Sequence, residues 1–433
     1  MAAQVIIDPN HTRADKLILE SLAADLELYN EGKSGLTDNA AQHGPTAGDK
    51  DALVQLAMDN MNNPNHKDFE PAIFNSWDYP MLQSKQLNRF LLRPYTRVAQ
   101  GVVRNKVDVV MFTHLLLYFF TSVPSALALF FWNFSWLHGI LHFVMQVSYT
   151  GTYTLMMHQH IHGNGILKKT FPYSLFDYLF PYITDPLMGH TWNSYFFHHV
   201  KHHHVEGNGP DDLSSTIRYQ RDSWLHFAHY VGRFYFFAWL ELPIYFIRKG
   251  RPFMAARSTF WELGNYFTLY ALYQINPRAT ICVFLLPLAL MRLGLMAGNW
   301  GQHAFVDNEE PDSDYRSSIT VIDVQSNRHS FNDGYHTSHH LNPLRHWREH
   351  PNSFFKTKDT YASQDAIVLH NIDYIMITIR TLMKDYHHLA KCMIPIGEAQ
   401  MAMSLDERAK YLQRRTRRFT EEEIRAKFGK AKA

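Results

Sequence analysis

No aspartate, glutamate, lysine or arginine occurs between Val109 and Leu167. A helix that crosses the hydrocarbon core of a bilayer needs only about 20 apolar residues, so this run has room for two crossings. The sequence "WNFSW" at 132–136 interrupts it with polar residues and places two tryptophans where a turn would meet the membrane interface. The run therefore predicts a hairpin of two membrane-spanning helices, at about 109–131 and 137–157.

A second, less apolar hairpin is predicted downstream. Its helices run over about 260–275 and 279–298, and "NPR" at 276–278 supplies the turn. The segment 224–247 between the two hairpins is also apolar, but it contains an arginine, a glutamate and a proline. Its apolar residues recur at helical spacing, which is typical of a helix that lies in the membrane interface.

The distribution of basic residues predicts the orientation. Lysine and arginine collect in loops on the cytosolic side of a membrane. Basic residues precede the first and third predicted spans and follow the second. The turns inside the two hairpins contain a single basic residue, Arg278. This pattern is consistent with four crossings and with both termini on the cytosolic side, provided that 224–247 does not cross.

The remaining sequence flanks this membrane region. We predict a polar, partly disordered cytosolic region at 1–90, which shows no periodic apolar run, a membrane domain at 91–375 and a charged helical tail at 376–433. In the tail, "SLDE" at 404–407 and "TEEE" at 420–423 match helix capping boxes. The predicted fold class is all-α: an integral membrane protein with four transmembrane helices in two hairpins, interfacial helices, and a cytosolic helical cap that carries the histidine segments described below.

Charge gives limited guidance on partners. The formal net charge is +2, so we expect no nucleic-acid partner. A basic cluster in the tail consists of Arg414, Arg415, Arg417 and Arg418. We interpret it as a solvated helix face, with contact to anionic lipid or to an acidic redox partner as the alternative. The oligomeric state is left open.

Histidine is the residue type that stands out, with 27 of the 433 residues. Four segments bring histidines together: "HQHIH" at 158–162, "HHVKHHH" at 198–204, "NWGQH" at 299–303 and "HTSHH" at 336–340. Residues three or four apart lie on the same face of an α-helix and can bind one ion together. The two cysteines are far apart and match no zinc or disulfide spacing, so any metal ligands would be nitrogen or oxygen atoms.

The segments hold nine histidines and one asparagine at such spacing, which is more than one ion of four to six ligands can use. Two metal ions are therefore predicted, on the cytosolic side. A single histidine near the end of a span is usually structural, but two H-x-x-H-H patterns together with an H-x-x-x-H pair favour a metal centre. Imidazole suits iron as well as zinc and copper. His160, His198 and His204 lie off the shared faces and are predicted to orient the ligands from outside the coordination sphere.

These four segments, in their order relative to the predicted spans, resemble the histidine boxes of the integral-membrane fatty acid desaturase superfamily, over about residues 90–370. The resemblance implies a multi-pass enzyme of the endoplasmic reticulum with two iron ions on the cytosolic side, O2 as co-substrate, and electrons from cytochrome b5 and its reductase. By motif match the ligands would be His158, His162, His199, His202, His203, His303, His336, His339 and His340, with Asn299 binding directly or through water.

Two departures from the superfamily pattern refine this expectation. Many relatives carry a fused cytochrome b5 domain marked by "HPGG", and the nearest string here is "HPNS" at 350–353. The electron donor is therefore expected to be a separate protein. The last histidine segment begins with His336 where front-end desaturases have glutamine, which argues against that subgroup.

The chemistry restricts the reaction to a metal-dependent oxidation. An unactivated methylene has no acidic proton and no leaving group, so acid–base catalysis by side chains cannot oxidise it. Removal of two neighbouring hydrogen atoms gives a double bond, whereas recapture of oxygen gives an alcohol. We predict an oxygen-dependent desaturase of a long acyl chain, with a hydroxylase or acetylenase acting on an acyl or sphingoid lipid as the alternative. The position attacked and the acyl carrier are left open.

A histidine-rich metal transporter is the alternative from another class. It would require polar groups that face each other within the spans. Spans one and two show none in the sequence beyond histidines near their ends, so the transporter is disfavoured.

Overall fold

The computed structural model describes residues 5–9, 11–32, 47–69, 72–74, 84–322 and 330–429. These described residues are mostly helical, with 68% in helix and 3% in strand. It divides into two compact units that alternate along the chain. The hairpin unit comprises Pro71–Ser215 and Trp224–Asn299, and the sheet unit comprises Met1–Glu70, Thr216–Ser223 and Trp300–Ala433.

The hairpin unit is built from helices within its described residues. They are Lys85–Leu87, a π-helix at Asn88–Leu92, Arg93–Val102, Val109–Phe131, Trp136–Gly163, Tyr173–Leu179, Pro181–Leu187, a π-helix at Phe196–His203, His204–Glu206, Trp224–Arg248, Pro252–Ile275, Pro277–Thr280, a π-helix at Ile281–Leu285, and Leu286–Gln302, which continues into the sheet unit. All four predicted spans fall within these helices.

Among the described residues, two helices are long and apolar enough to cross a membrane, Val109–Phe131 and Pro277–Gln302. They correspond to predicted spans one and four. The helices at predicted spans two and three, Trp136–Gly163 and Pro252–Ile275, form as expected, but the four-crossing topology and its orientation stay predictions. The segment 224–247 is also helical, within Trp224–Arg248.

The first hairpin, Val109–Phe131 and Trp136–Gly163, has a polar seam. Ser122 donates a hydrogen bond to the Gln146 side chain at 3.1 Å, and the Ser125 hydroxyl lies 2.9 Å from a ring nitrogen of both His138 and His142. The prediction that these helices hold no facing polar groups beyond terminal histidines is therefore wrong. Serine and glutamine are uncharged and do not interrupt an apolar pattern, so only helix packing shows that they meet.

The sheet unit combines helices with a small sheet. Its described helices are Arg13–Asn30, Ala47–Asn62, Asp314–Ser317, His336–Leu341, Glu349–Lys356, Lys358–Ser363, Tyr374–Leu382, Tyr386–Cys392, Glu398–Met401, Leu405–Arg414 and Glu421–Phe428, and its strands are β1 (Ile319–Ile322), β2 (Ile367–His370) and β3 (Met393–Ile394). The order is β1-β2-β3, with Ile319 paired to Ile367 in the parallel pair and Val368 to Ile394 in the antiparallel pair.

This sheet departs from the all-α prediction. Every residue of the three strands is buried, so the strands have no polar face that would produce an alternating pattern. Short apolar runs of this kind cannot be distinguished from buried helix by periodicity. The mostly helical class holds, but the sheet could not be identified from sequence.

The N-terminal region contains helices that the sequence did not predict. In the helix Arg13–Asn30, Ile18, Leu19 and Leu22 are buried at helical spacing, and they pack in a core cluster with Phe354. The interpretation of 1–90 as lacking a periodic apolar run is therefore wrong. The disorder predicted there concerns in part residues 1–4, 10, 33–46, 70–71 and 75–83, which lie outside the described residues.

The C-terminal tail confirms both capping boxes and corrects the basic cluster. Ser404 and Glu407 form a reciprocal capping box, as do Thr420 and Glu423. Arg415 is buried, and its guanidinium lies 2.7 Å from Asp307 and 2.5 Å from Asp365. Arg414 and Arg418 are exposed. The solvated-face interpretation is thus wrong for the arginine at the centre of the cluster.

Candidate metal centre

The first histidine segment ends the helix Trp136–Gly163. His158 and His162 are one α-helical turn apart, and their ring centroids are 4.8 Å apart. Asn164 then adopts the left-handed conformation, with φ of 54°, and terminates the helix. The two histidines therefore share one helix face, as their i, i+4 spacing indicates.

The second segment does not form the α-helix that was expected. Phe196–His203 is a π-helix, in which hydrogen bonds run from i to i+5 and bring residues five apart into line. The Nε2 atoms of His199 and His204 are 3.0 Å apart. The α-helix expected for this segment is therefore wrong. The ring of His199 still stacks on that of His203, with centroids 5.5 Å apart, but the wider helix also brings His204 to His199.

A cluster of four histidines results in the hairpin unit. His158, His162, His199 and His204 each offer a ring nitrogen, and these atoms lie within 4.8 Å of one another. The Nε2 atom of His199 is 2.8 Å from that of His158. Three of the four were predicted as ligands. His204, which was predicted to orient ligands from outside, lies among them.

These nitrogen separations, 2.8 and 3.0 Å, are near those of ligands that share an ion. The Nε2 atom of His199 has two Nε2 neighbours within 3.0 Å, but one ring nitrogen carries either a proton or a lone pair and can satisfy only one such partner well. Two nitrogen ligands at about 2.1 Å from a metal ion lie about 3.0–3.4 Å apart, for octahedral to tetrahedral angles. The residues present therefore fit a nitrogen-ligated metal.

The carboxylate of Asp212 lies beside His198, His202 and His203 of the π-helix. Its Oδ2 atom lies 2.7 Å from His203 Nδ1, and Asp212 groups with His198 and His202 at metal-ligand spacing. Although burial acts to raise it, the pKa of Asp212 is held well below its usual value by the neighbouring His203. An ionised Asp212 keeps the proton of His203 on Nδ1 and leaves the lone pair on Nε2, an arrangement common behind metal-binding histidines.

Burial also sets the protonation state of these histidines. It lowers the pKa of His198 to about 3 and lowers the pKa of His199 and His202 as well. Because only neutral imidazole binds a metal ion, the protein prepares these rings for binding at neutral pH.

His160 is directed elsewhere. Its Nε2 atom lies 3.2 Å from the backbone oxygen of Asp177 and 3.4 Å from its carboxylate. Its partner is therefore Asp177 and not a histidine of the cluster, and its role as a residue that orients ligands stays a prediction. The i+2 spacing from His158 turns it to another face of the helix.

A second convergence lies in the sheet unit. The Nε2 atom of His336 is 3.4 Å from that of His303 and 3.1 Å from that of His340. His303 donates its Nδ1 proton to the Ser317 backbone oxygen at 2.7 Å when its Nε2 carries the lone pair. His339 lies beside this triad, with its ring centroid 6.0 Å from that of His336. The i, i+4 pair of this segment therefore meets His303, a grouping that the sequence left open.

Asn299 is held by its amide nitrogen. It donates to the Ser214 backbone oxygen at 2.8 Å and to the Tyr230 hydroxyl at 2.7 Å. Both amide protons are thereby used, and the side-chain oxygen is the atom left to face a metal or a metal-bound water. Sequence reasoning identified Asn299 but missed Asp212, because the adjacent Asp211 in "GPDDL" gives no signal of which aspartate faces the histidines.

Comparison with known proteins agrees with this geometry. The family model "Fatty acid desaturase" matches residues 134–368. No curated protein and no solved structure matches the chain. Since the matched residues make up more than half of the chain and include all four histidine segments, the chain belongs to the fatty acid desaturase family.

Proposed function

We propose that this protein is an oxygen-dependent desaturase that introduces a double bond into a long acyl chain, with two iron ions held by its histidines. The main observation in support of this proposal is that the Nε2 atoms of His158, His199 and His204 converge in the hairpin unit. The His303, His336 and His340 triad of the sheet unit supports it. Imidazole suits several metals, and membership of the desaturase family favours iron.

The four-histidine cluster and the triad would supply most of the ligands. His202, His203, His339 and Asn299 are the further predicted ligands in this proposal. Of these, His203 is the best prepared, because Asp212 fixes its tautomer. His202 has a competing role, since its Nε2 atom lies 3.2 Å from the backbone oxygen of Asp211.

Bound iron would supply the one-electron chemistry with O2 that an unactivated methylene requires. The protein's own residues prepare the site before that step. Burial keeps His199 neutral, and the Asp212 carboxylate and the Ser317 carbonyl hold protons on the Nδ1 atoms of His203 and His303. The Nε2 lone pairs are then available without a protonation change on metal binding.

We further propose that electrons arrive from a separate donor, cytochrome b5 with its reductase. The sequence lacks the "HPGG" mark of a fused donor domain. We also propose a location in the endoplasmic reticulum membrane, with the histidines and both termini on the cytosolic side. Membership of the family and the distribution of basic residues support this proposal.

The polar seam of the first hairpin bears on the transporter alternative. It consists of serine, glutamine and histidine side chains, and no carboxylate or permanent cation occurs between Val109 and Leu167. Intramembrane pathways for ions generally carry ionisable groups that pair with one another. The seam is therefore better explained as hydrogen bonding between the two helices.

The test is product analysis after expression of the full chain in yeast, combined with iron determination on the purified protein. We expect a new double bond in cellular acyl chains and about two iron ions per chain. The variants His199→Ala and His336→Ala should lose the bound iron and the new double bond. The control His387→Ala changes an exposed histidine and should retain the iron and the activity. A hydroxylated product without new unsaturation would establish the hydroxylase instead, and metal uptake without any lipid product would refute the enzyme.

A further inference from the structure

A row of aromatic rings leads from the histidine cluster into the first hairpin. Each ring centroid lies between 5.1 and 5.7 Å from the next. The order is His199, Tyr195, His190, Tyr153, Tyr118, Tyr149. All of these residues belong to the hairpin unit, and the two ends of the row are a candidate metal ligand and a half-buried tyrosine.

The middle of the row is inaccessible to solvent. Tyr118 and Tyr153 are both 0% exposed, and His190 is 5% exposed. Large phenols at such positions fill space, but a row of four tyrosines with an imidazole between the first two is more than packing requires. Phenylalanine would fill the same volume without the need to satisfy a buried hydroxyl.

The buried phenols have partners that can take a proton. Tyr153 donates a hydrogen bond to Asp185 Oδ1 at 2.5 Å, and the Tyr118 hydroxyl lies 3.2 Å from His114 Nδ1. Burial raises the pKa of Asp185 to about 7, so a substantial fraction carries the free carboxylate at neutral pH. Oxidation of a phenol releases its proton, and a buried site without an acceptor would have to hold a costly positive charge.

We propose that these tyrosines let an oxidising equivalent leave the histidine cluster when no acyl chain is present to consume it. The inference rests on the proposed function, which supplies O2 and electrons and hence the oxidant. An oxidant strong enough to take hydrogen from a methylene can also take it from a phenol, whose O–H bond is weaker. Without such a route, the ligand imidazoles themselves are the nearest oxidisable groups.

Each stage moves one electron and one proton. The Tyr195 phenol would give both to bound iron, and Tyr195 regains an electron from Tyr153 and a proton from solvent. Tyr153 passes its O–H proton to the Asp185 carboxylate and takes it back when Tyr118 returns an electron. Tyr118 exchanges its proton with His114 in the same way when Tyr149 returns its electron. Tyr149 releases its proton to solvent, and a thiol or a lipid-soluble phenol finally returns one electron and one proton to it.

The test uses the iron-loaded full-length protein, supplied with O2 and reductant but with no acyl substrate. Samples frozen during the reaction are examined for an organic radical by electron paramagnetic resonance, with ring-deuterated tyrosine to assign it. Mass spectrometry then measures added oxygen on His158 and His199. The variants are Tyr153→Phe and Asp185→Asn. The matched control is Tyr335→Phe, since Tyr335 is equally buried and also donates to a carboxylate, that of Asp15 at 2.6 Å, but belongs to the sheet unit.

We expect a tyrosyl signal in the wild type and in Tyr335→Phe. In Tyr153→Phe and Asp185→Asn it should fall several-fold, while histidine oxidation rises several-fold and the initial rate with substrate is unchanged. Equal radical yield and equal histidine oxidation in all four proteins would overturn the inference, as would the absence of both in iron-loaded wild type. Radical formation and histidine oxidation require no acyl product, so a protein that forms the radical but desaturates nothing would contradict the proposed function alone.

Discussion

Arg292 Nη2 lies 2.5 Å from Glu262 Oε1, and the two side chains are only 11% and 8% exposed. The other carboxylate oxygen of Glu262 accepts hydrogen bonds from Thr191, at 2.6 Å, and from Ser194. Thr191 lies five residues, and Ser194 two residues, before the π-helix that carries most of the second histidine segment. A buried ion pair contributes little to stability after its desolvation cost. We therefore infer that the main role of Glu262 is to hold the segment that contains Thr191 and Ser194.

Removal of the two hydroxyl donors should therefore weaken metal binding while leaving the ion pair in place. We expect Thr191→Val/Ser194→Ala to retain less iron than the wild type at equal expression, because the start of the π-helix loses its attachment. The matched control is Ser258→Ala/Thr259→Val, whose hydroxyls donate to the Ala255 backbone oxygen in their own helix. Equal iron retention in the two double variants would show that the contact serves packing alone.

Asp212 should control metal affinity through His203. Loss of a carboxylate behind a ligand histidine typically costs about 10–100-fold in metal affinity, so Asp212→Ala should bind metal that much more weakly, as measured by competition with a chelator. The adjacent Asp211 is 54% exposed and pairs with Lys249, and Asp211→Ala should bind metal normally. A similar loss in both variants would point to a general disturbance of the loop.

The π-helix makes a specific prediction about two histidines that the sequence treated alike. His204→Ala should lose iron and activity to the extent that His199→Ala does, because their Nε2 atoms converge. His160→Ala should retain most of its iron, since His160 bonds to Asp177. The iron content per chain of purified His204→Ala and His160→Ala tests these two expectations. If His204→Ala keeps its iron while His199→Ala loses it, the approach of the two Nε2 atoms does not reflect shared metal binding.

The N-terminus should detach on acidification. His370 Nε2 accepts a hydrogen bond from the Ile6 backbone N–H at 2.8 Å, while Nδ1 lies 2.8 Å from the Cys392 backbone oxygen. Burial lowers the pKa of His370, so the folded protein favours the neutral ring and loses stability as the pH falls below about 6.5, the unfolded value. Proteolysis near residues 5–9 should increase below that pH, and His370→Gln should abolish the dependence.

Arg415 should matter for stability and its exposed neighbour should not. Arg415→Ala leaves Asp307 and Asp365 without their shared cation. Breaking a buried ion pair typically lowers the free energy of unfolding by about 3–5 kcal/mol. We expect a decrease near the lower end of this range, because Asp365 is one-third exposed. Arg418→Ala should change the free energy of unfolding by less than about 0.5 kcal/mol. Thermal unfolding in detergent compares the two, and equal shifts would indicate that the tail is not fastened through Arg415.

Features that depend on neighbouring residues were predicted well. The capping boxes at Ser404 and Thr420 need only a hydroxyl and a glutamate three positions apart, and the hairpin helices need only apolar length. The same holds for His158 with His162 and for His336 with His340, whose spacing in an α-helix places them together.

Features that depend on residues distant in the sequence were not predicted. The strands β1 and β2 pair across an intervening helical segment, and nothing local distinguishes their short apolar runs from helix. The seam between Ser122 and Gln146 is set by helix packing, and the burial of Arg415 by two aspartates far away in sequence.

The sequence by itself determined that the chain has long apolar helices and enough clustered imidazole to hold metal, because both are properties of composition and short spacing. Only the tertiary structure decided which imidazoles meet. The wider turn of the π-helix brings His204 to His199, a carboxylate at Asp212 fixes His203, and Glu262 anchors the segment that precedes them all. Each of these depends on a backbone geometry or a partner that residue spacing does not specify.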